Sequence, residues 1–360
     1  MHWAYALKPV RVREYENVRR NREEKGRNVM EKHVKELFTR EVLKEAAENF
    51  NINESSLKDL EGFQNFVYFG KSNETSVVLR VTHKSHRTEE ELLSEINFIN
   101  YLSDNNVSVS KVIISINGNF IEQIKDGEFY ATSFEYSRGR KARIAEESDM
   151  FYQRIGKYTG AMHRFSKKLN LTHDLNRRHW HKKELLINMK KYLPEELSYV
   201  IDKYEILKKE LSRLPKNTDS YGIIHGDLNH GNYLNVDDDV LFIDFDDAEY
   251  SWFVSDIAIP LFYEIPIPWV VDGKQRLEIT KRYYYNFMDG YVKENTIDNT
   301  WLKLIPDFIN LRQYGVVSAI YRSYDFNNYN NWSDWDKEAL KFYLNNIKND
   351  VPYIEMDFCR

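Results

Sequence analysis

Residues 224–250, IHGDLNHGNYLNVDDDVLFIDFDDAEY, constrain this chain more than any other stretch. Two short apolar runs, at 221–225 and 240–245, bracket a loop dense in carboxylates, amides, histidine and glycine. Apolar runs of that length bounded by turn residues are expected to be buried strands, so the polar loop is anchored at both ends. Its composition admits three readings: a metal site, a phosphate site, or a polar turn beneath a sheet.

The rest of the chain sorts into two regions around that stretch. From 30 to 50, Val34, Leu37, Phe38, Val42, Ala46 and Phe50 recur at helical spacing. Residues 66–70 and 76–82 are β-branched and aromatic on either side of a polar turn at 71–75, which predicts a strand pair. Residues 88–103 predict a helix with Thr88 as N-cap, an acidic first turn, and Leu92, Ile96, Ile99 and Leu102 on one face. Segments 111–116 and 120–124 flank Asn117-Gly118, a strong hairpin signal, and FYATSFEY at 129–136 predicts a further strand. Beyond Ser137-Arg138-Gly139, helical periods dominate 149–168, 180–192 and 196–213 and return after 253. The expectation is an α+β chain of two lobes. Residues 30–136 form a small antiparallel-sheet lobe of five strands plus a helix, a hinge lies near 134–139, and residues 137–360 form a larger, mainly helical lobe with one embedded hairpin.

Composition narrows the function classes. A length of 360 residues, 42% hydrophobic and 30% charged, suits a globular protein with more than one structural unit. The formal net charge of -5 offers no general footprint for nucleic acid. A single cysteine, Cys359, excludes disulfide scaffolds and multi-cysteine metal sites and fits a reducing compartment. No apolar run approaches the roughly 20 residues a membrane helix needs. The basic residues 1–29 lack the apolar core of a secretory signal and are set apart as an extension, with Met30 as a candidate initiator. A cytoplasmic protein with no membrane or nucleic-acid partner is expected, and the residues leave its oligomeric state open.

Phosphoryl transfer to a hydroxyl needs a carboxylate beside the attacking oxygen and an amide oxygen on a hard cation. It also needs a second carboxylate, from a neighbouring strand, to bridge that cation to the phosphates. Asp227, Asn232 and Asp244 match this in type and spacing. His225-Gly226-Asp227 followed by Asn232 has the spacing of the kinase loop H-R-D-x-x-x-x-N, and Ile243-Asp244-Phe245 ends an apolar strand as D-F-G does. Asp and Asn also favour plain turns, but three spaced matches in strand context outweigh that reading.

HGDLxxxN followed by IDF resembles the aminoglycoside phosphotransferase/choline kinase-like family, which shares the two-lobed fold of protein kinases. The resemblance spans roughly residues 55–330. GFQNFVY at 62–68, containing Asn65, resembles a degenerate form of the family's loop over the phosphates. VVLRV at 77–81 resembles the strand bearing the phosphate-contacting cation, with Arg80 in place of the usual lysine and Glu95 as its helical partner. IGKYTGAMHRFSK at 155–167 resembles the helix before the catalytic loop. DFDDAEYSWFVSDIAI at 244–259, with Asp256 in the Asp-Ile-Ala position, is most similar to the homoserine-kinase/stress-response-kinase branch.

The resemblance implies an ATP- and Mg2+-dependent phosphotransferase, and nothing in the motifs rules out GTP. Asp227 is implied as the base, Asn232 and Asp244 as metal ligands, and Arg80, oriented by Glu95, as the phosphate contact. The backbone at Ser133, Phe134, Glu135 and Tyr136 is implied for the adenine. The acceptor is expected to be a small-molecule hydroxyl of aminoglycoside, amino alcohol or hydroxy-amino acid type. Gly226 stands where protein kinases carry the arginine that reads a phosphorylated activation loop, and no A-P-E follows Asp244. This favours a metabolite kinase over a serine/threonine protein kinase of the stress-response type. Arg80 and the degenerate loop feed a further alternative, a kinase-like binding module with weak or no catalysis.

Other features have plainer readings. His225 is expected to brace the loop and His230 to sit at its rim. Asp237, Asp238 and Asp239 read as a hairpin turn rather than a calcium cluster. Phe69-Gly70-Lys71-Ser72 is rejected as a P-loop because Asn65 stands where its first glycine belongs. Met162 and His163 read as helix packing. The aromatic and acidic stretch at 321–336 is expected to be a surface loop in preference to a pocket for a cationic hydroxyl compound. Asp246 has no assigned role.

Overall fold

Turn chemistry and short apolar strands shape the N-terminal half of the computed structural model, which describes residues 30–62, 64–143, 147–169, 175–268 and 271–359. The basic extension at 1–29 lies outside the described residues. Strands β1 (Lys58–Asp59), β2 (Phe66–Ser72), β3 (Thr75–His83), β4 (Val112–Ile113), β5 (Glu122–Ile124) and β6 (Phe129–Glu135) form an antiparallel sheet in the order β1-β2-β3-β6-β4, with β5 also on β6. The β2–β3 hairpin closes through a two-residue turn with Asn73 at φ 50, one of the few residue types that tolerates that conformation.

Two expectations for this region are corrected. The sheet has six strands among the described residues rather than five, because the two-residue edge strand β1 is too short to show a period. The segments around Asn117-Gly118 do not pair with each other: β4 and β5 lie end to end along one edge of β6. The Ser115 hydroxyl accepts the amides of Asn117 and Asn119, winding the chain into a polar turn that continues along the edge instead of folding back.

The helical pattern at 30–50 divides into α1 (Lys32–Leu37) and α2 (Arg40–Asn49). Phe38 leaves the helix to stack on Phe66, with ring centroids 3.6 Å apart. Helix α3 (Glu89–Asp104) has the expected cap: Glu91 N–H donates to Thr88 Oγ1, and Thr88 N–H to the Glu91 carboxylate. Its Phe98, Ile99 and Leu102 belong to the large core of the C-terminal half, while Val77, Leu79, Val81, Phe129 and Ala131 make a smaller core with α2. Helix α3 thereby ties the two halves together.

The larger half contains α4 (Asp149–Ser166), α5 (Ser198–Leu211), α6 (Phe253–Glu264), α7 (Gly273–Tyr291), α8 (Ile305–Ser323) and α9 (Asp334–Asn349). The expected helix at 180–192 is instead three single turns, Trp180–Lys182, Glu184–Ile187 and Met189–Tyr192. The short strands are β7 (Arg140–Lys141), β8 (Tyr221–Ile224), β9 (Tyr233–Val236), β10 (Asp239–Phe242) and β11 (Glu249–Trp252). The two apolar runs of the diagnostic stretch do not form one hairpin. β8 pairs with β11, and β9 pairs with β10 across Asp237 and Asp238, whose φ values of 51 and 65 are those of a tight hairpin turn. The loop at 225–232 and the turn at 244–248 therefore emerge side by side between two small sheets. No described helix is long and apolar enough to cross a membrane.

Helices α4 and α7 approach closely because each presents a glycine to the other's backbone where they cross. A Cβ on Gly156 would lie 1.8 Å from Phe287 O, and one on Gly290 would lie 1.8 Å from Gln153 O. Gly156→Ala is expected to force the helices apart and to destabilise the protein by about 3 kcal/mol or more. Equilibrium denaturation checks this, and an unchanged midpoint would contradict the close crossing.

Candidate active site

Two residues in the left-handed region aim the loop. Gly226, at φ 76, follows β8, and a Cβ there would lie 2.5 Å from Asp247 O, so glycine is required where protein kinases carry arginine. Asp244, at φ 61, follows β10. The fully buried Asp256, in the first turn of α6, accepts the His225 amide at 2.8 Å and the Gly226 amide at 2.9 Å. His163 Nε2 lies 3.4 Å from the same carboxylate, and His163 Nδ1 is 2.8 Å from the Tyr291 hydroxyl. Burial alone would raise the Asp256 carboxyl, but the hydrogen bond and charge from His163 bring it below its ordinary value. His163 thus packs in the helix as expected and also braces the loop's anchor. The His225 imidazole accepts the Asp227 amide at 3.3 Å and donates to Ile243 O at 3.1 Å, joining the loop to the strand that leads to Asp244.

Asp227, Asn232 and Asp244 line one cleft of about 1070 Å3. Asn232 donates from Nδ2 to Asp227 Oδ2 and to Asp227 O, each at 2.9 Å, which turns its own Oδ1 away from Asp227. Asn229 Nδ2 donates to the same Oδ2 at 3.0 Å. Asp227 Oδ1 is met by Arg312 Nη2, and Arg312 Nε donates to the Tyr263 hydroxyl at 3.0 Å. Asp244 is open to the cleft but enclosed on its other sides. That enclosure, with the carboxylates Asp246, Glu95 and Asp227, pushes its carboxyl up to about 7 against the pull of Arg80. Hard oxygen donors carrying surplus negative charge suit a divalent cation of the magnesium or calcium kind.

On the opposite wall, Arg80 and Glu95 form a buried fork, Nη1–Oε1 at 2.8 Å and Nη2–Oε2 at 3.0 Å, and Arg80 Nε donates to Thr132 Oγ1 at 3.3 Å. They are a buried pair rather than an ordinary surface one. Truncating Glu95 to alanine leaves a buried guanidinium without its partner and is expected to destabilise the protein by about 3–5 kcal/mol, measurable by denaturant titration. Asn65, Phe134, Glu135 and Tyr136 also line the cleft. Ser133 does not: it is fully buried behind the wall, between β3 and β4, because alternation along β6 turns it away. The amides of Glu135 and Tyr136 already donate to Lys111 O and Ser76 O.

Asp246, without a role in the sequence, locks the two halves together. Its carboxylate takes His86 Nε2 at 2.8 Å and Arg87 Nε at 3.0 Å, and Asn65 Nδ2 lies 3.5 Å away. The Arg87 guanidinium beside it, with the hydrogen bond from His86, holds it well below the ordinary carboxylate range despite its burial. The stretch 321–336 is more than a surface loop. Within Phe326–Asn331 the four asparagines are exposed and Phe326 and Tyr329 are half-buried, much as expected of a surface loop with aromatics packed beneath it, but Arg322, Ser323, Tyr324 and Trp335 reach the cleft, because α8 and α9 present one face each to it. His230 stands at the cleft as expected.

Residues 57–291 match the APH family, described as a phosphotransferase enzyme family. The chain belongs to the APH phosphotransferase enzyme family. It is 32% identical over 332 residues to amicoumacin kinase of Bacillus subtilis (strain 168), covering 91% of this chain and 97% of that protein. A solved amicoumacin kinase in complex with AMP-PNP, Ca2+ and Ami superimposes with TM-score 0.84 at 30% identity, over 91% of this chain and 99% of that one. Choline kinase from Streptococcus pneumoniae, 11% identical with TM-score 0.55 over 88% of this chain and 99% of that one, shares the fold. This APH phosphotransferase therefore has the kinase-like fold and is a kinase whose acceptor is a small-molecule hydroxyl.

Four residues of this APH-family site carried no signal in the sequence. Arg312 and Tyr263 lie in helices whose spacing reads as ordinary amphipathic pattern, and His86-Arg87 precedes the α3 cap as a plain polar turn. Only their distances to Asp227 and Asp246 single them out.

Proposed function

We propose that this enzyme transfers the γ-phosphoryl group of ATP to a hydroxyl of an amicoumacin-like acceptor, with a divalent cation of the magnesium type and Asp227 as the base. The observation that carries the reading is the shared cleft wall of Asp227, Asn232 and Asp244, on which Asn232 turns its amide nitrogen to Asp227 and its oxygen away. The likeness to amicoumacin kinase along nearly the whole of both chains supports the acceptor class.

Asp227 would orient the acceptor hydroxyl and take its proton as the oxygen–phosphorus bond forms. Asn232 and Asp244 would hold the cation, which, when bound, neutralises phosphate charge. Arg80, fixed by Glu95 and Thr132, keeps guanidinium N–H groups beyond those bonds for a phosphate oxygen. Asn65 would belong to the loop over the phosphates; it lines the cleft, and its buried Oδ1 has no hydrogen-bond partner. Because the Glu135 and Tyr136 amides are engaged in the sheet edge, a purine edge would meet the chain just beyond, at the Tyr136 carbonyl and the Ser137 amide.

The direct test is ADP release and acceptor mass gain with ATP, Mg2+ and amicoumacin A. A gain of one phosphoryl group is expected. No transfer to amicoumacin, with transfer to another alcohol in a metabolite panel, would reject the acceptor and keep the reaction class.

A further inference from the structure

We propose that Arg312 gates the catalytic carboxylate: in the resting enzyme its guanidinium occupies the acceptor-facing oxygen of Asp227, and an acceptor must displace it before a proton can be taken. This rests on the reading of Asp227 as base. A carboxylate offers about four lone-pair directions, two on each oxygen. On Oδ2 both are used, by Asn229 Nδ2 at 3.0 Å and Asn232 Nδ2 at 2.9 Å, from the side where the cation ligands lie. The oxygen left for an incoming hydroxyl is Oδ1, where Arg312 Nη2 takes one of the two directions, so a hydroxyl that approaches the carboxylate meets the guanidinium beside the last open one.

The contact differs from a chance surface pair. Both side chains are about four-fifths buried, 18% and 21% exposed, and both face the cleft. Arg312 projects from α8, whose Gly315, Val316 and Ala319 line the same wall, and it is tethered to α6 by the Tyr263 hydroxyl, 3.0 Å from Nε. The Tyr263 ring lies 5.1 Å from the guanidinium centre. A guanidinium stays charged at every working pH, so the gate opens by movement and not by deprotonation.

The gate has a chemical purpose. With nucleotide bound and no acceptor, water could enter and use the same base. Its oxygen would bond to the γ-phosphorus, its proton would pass to Asp227 and then to solvent, and the bond to the leaving ADP oxygen would break. Holding Oδ1 on a fixed cation withholds the base from that hydrolysis.

The test is phosphate release from Mg-ATP without acceptor, with Mg-ATP-dependent thermal stabilisation measured on each protein. Arg312→Gln is expected to raise hydrolysis about 10-fold, a part of the 100- to 10,000-fold that general base catalysis typically supplies. Tyr263→Phe, which keeps the arginine but loosens it, should raise hydrolysis less, and Arg312→Lys should restore part of the restraint. The double variant Asp227→Asn/Arg312→Gln should fall back to the wild-type rate or below. A structural role alone would not raise a rate. Unchanged or lower hydrolysis in Arg312→Gln, with nucleotide stabilisation intact, overturns the gate and leaves the nucleotide reading standing. So does a rise that persists in the double variant. Absence of Mg-ATP stabilisation in the wild type would reject the nucleotide reading and the gate with it.

Discussion

Asp227→Asn is expected to lower kcat for phosphoryl transfer by about 1,000-fold, within the range a positioned general base supplies. The substitution keeps the size of the side chain, and its oxygen can still accept from Asn229, Asn232 or Arg312, so the loop stays anchored by Asp256 and His225. Nucleotide affinity, read from the Mg-ATP thermal shift, should therefore change little. Steady-state ADP release gives the rate. A variant with wild-type kcat would remove Asp227 from the chemistry, and one that lost nucleotide binding as well would point to collapse of the site.

Asp244→Asn is expected to act in opposite directions on activity and stability. Activity should fall by roughly 100- to 1,000-fold, the usual cost of removing one preorganised electrostatic contact. In chelator, without cation or nucleotide, the same substitution should stabilise the folded protein above neutral pH. The carboxyl's folded-state pKa is raised from 3.8 to about 7, by enclosure and by Asp246, Glu95 and Asp227. A raised pKa contributes stability that is complete below the unfolded value and is lost as pH climbs through the folded one. The wild type therefore weakens between about pH 4 and 7 relative to the variant, and the gap is constant above that. Because Asp244 is open to the cleft, solvent screening reduces the gap to about 1–2 kcal/mol. Thermal unfolding at pH 5 and pH 8 measures it. A variant less stable than the wild type at pH 8 would contradict the crowding of carboxylates around this position.

How much of this could be read from the chain differs from element to element. The α3 cap was legible because Thr88 and Glu91 act on backbone within one turn, and local geometry settles such contacts. The β2–β3 hairpin was legible for the same reason, through its two-residue turn. The pairing of β8 with β11, and of β4 and β5 with β6 instead of with each other, was not, because strand partners are chosen by packing across the sheet. Helix breaks at Phe38 and within 180–192 escaped for a similar reason: Phe38 gains a ring partner 28 residues away in sequence.

Within the site, the spacing of Asp227, Asn232 and Asp244 is a property of eighteen consecutive residues, so type and order along the chain suffice to nominate them. Glu95 could be nominated because it sits on the buried face of a capped helix, opposite a charged residue in an apolar strand. Ser133 could not be separated from its neighbours on β6, since alternation sorts the side chains into two faces but only the packed structure decides which face meets the cleft.

The chain by itself determined the local devices: the left-handed glycine before Asp227, the hairpin turn at Asp237 and Asp238, the caps, and the order of carboxylate, amide and carboxylate. These depend on backbone sterics and short-range hydrogen bonds, which a few neighbouring residues control. Only the tertiary structure decided that Arg312 meets Asp227 across 85 residues, that Asp246 joins the two halves through His86 and Arg87, and that Asp256 carries the loop from beneath. Those contacts are set by how helices and sheets pack, and no period along the chain encodes which charges the packing brings together.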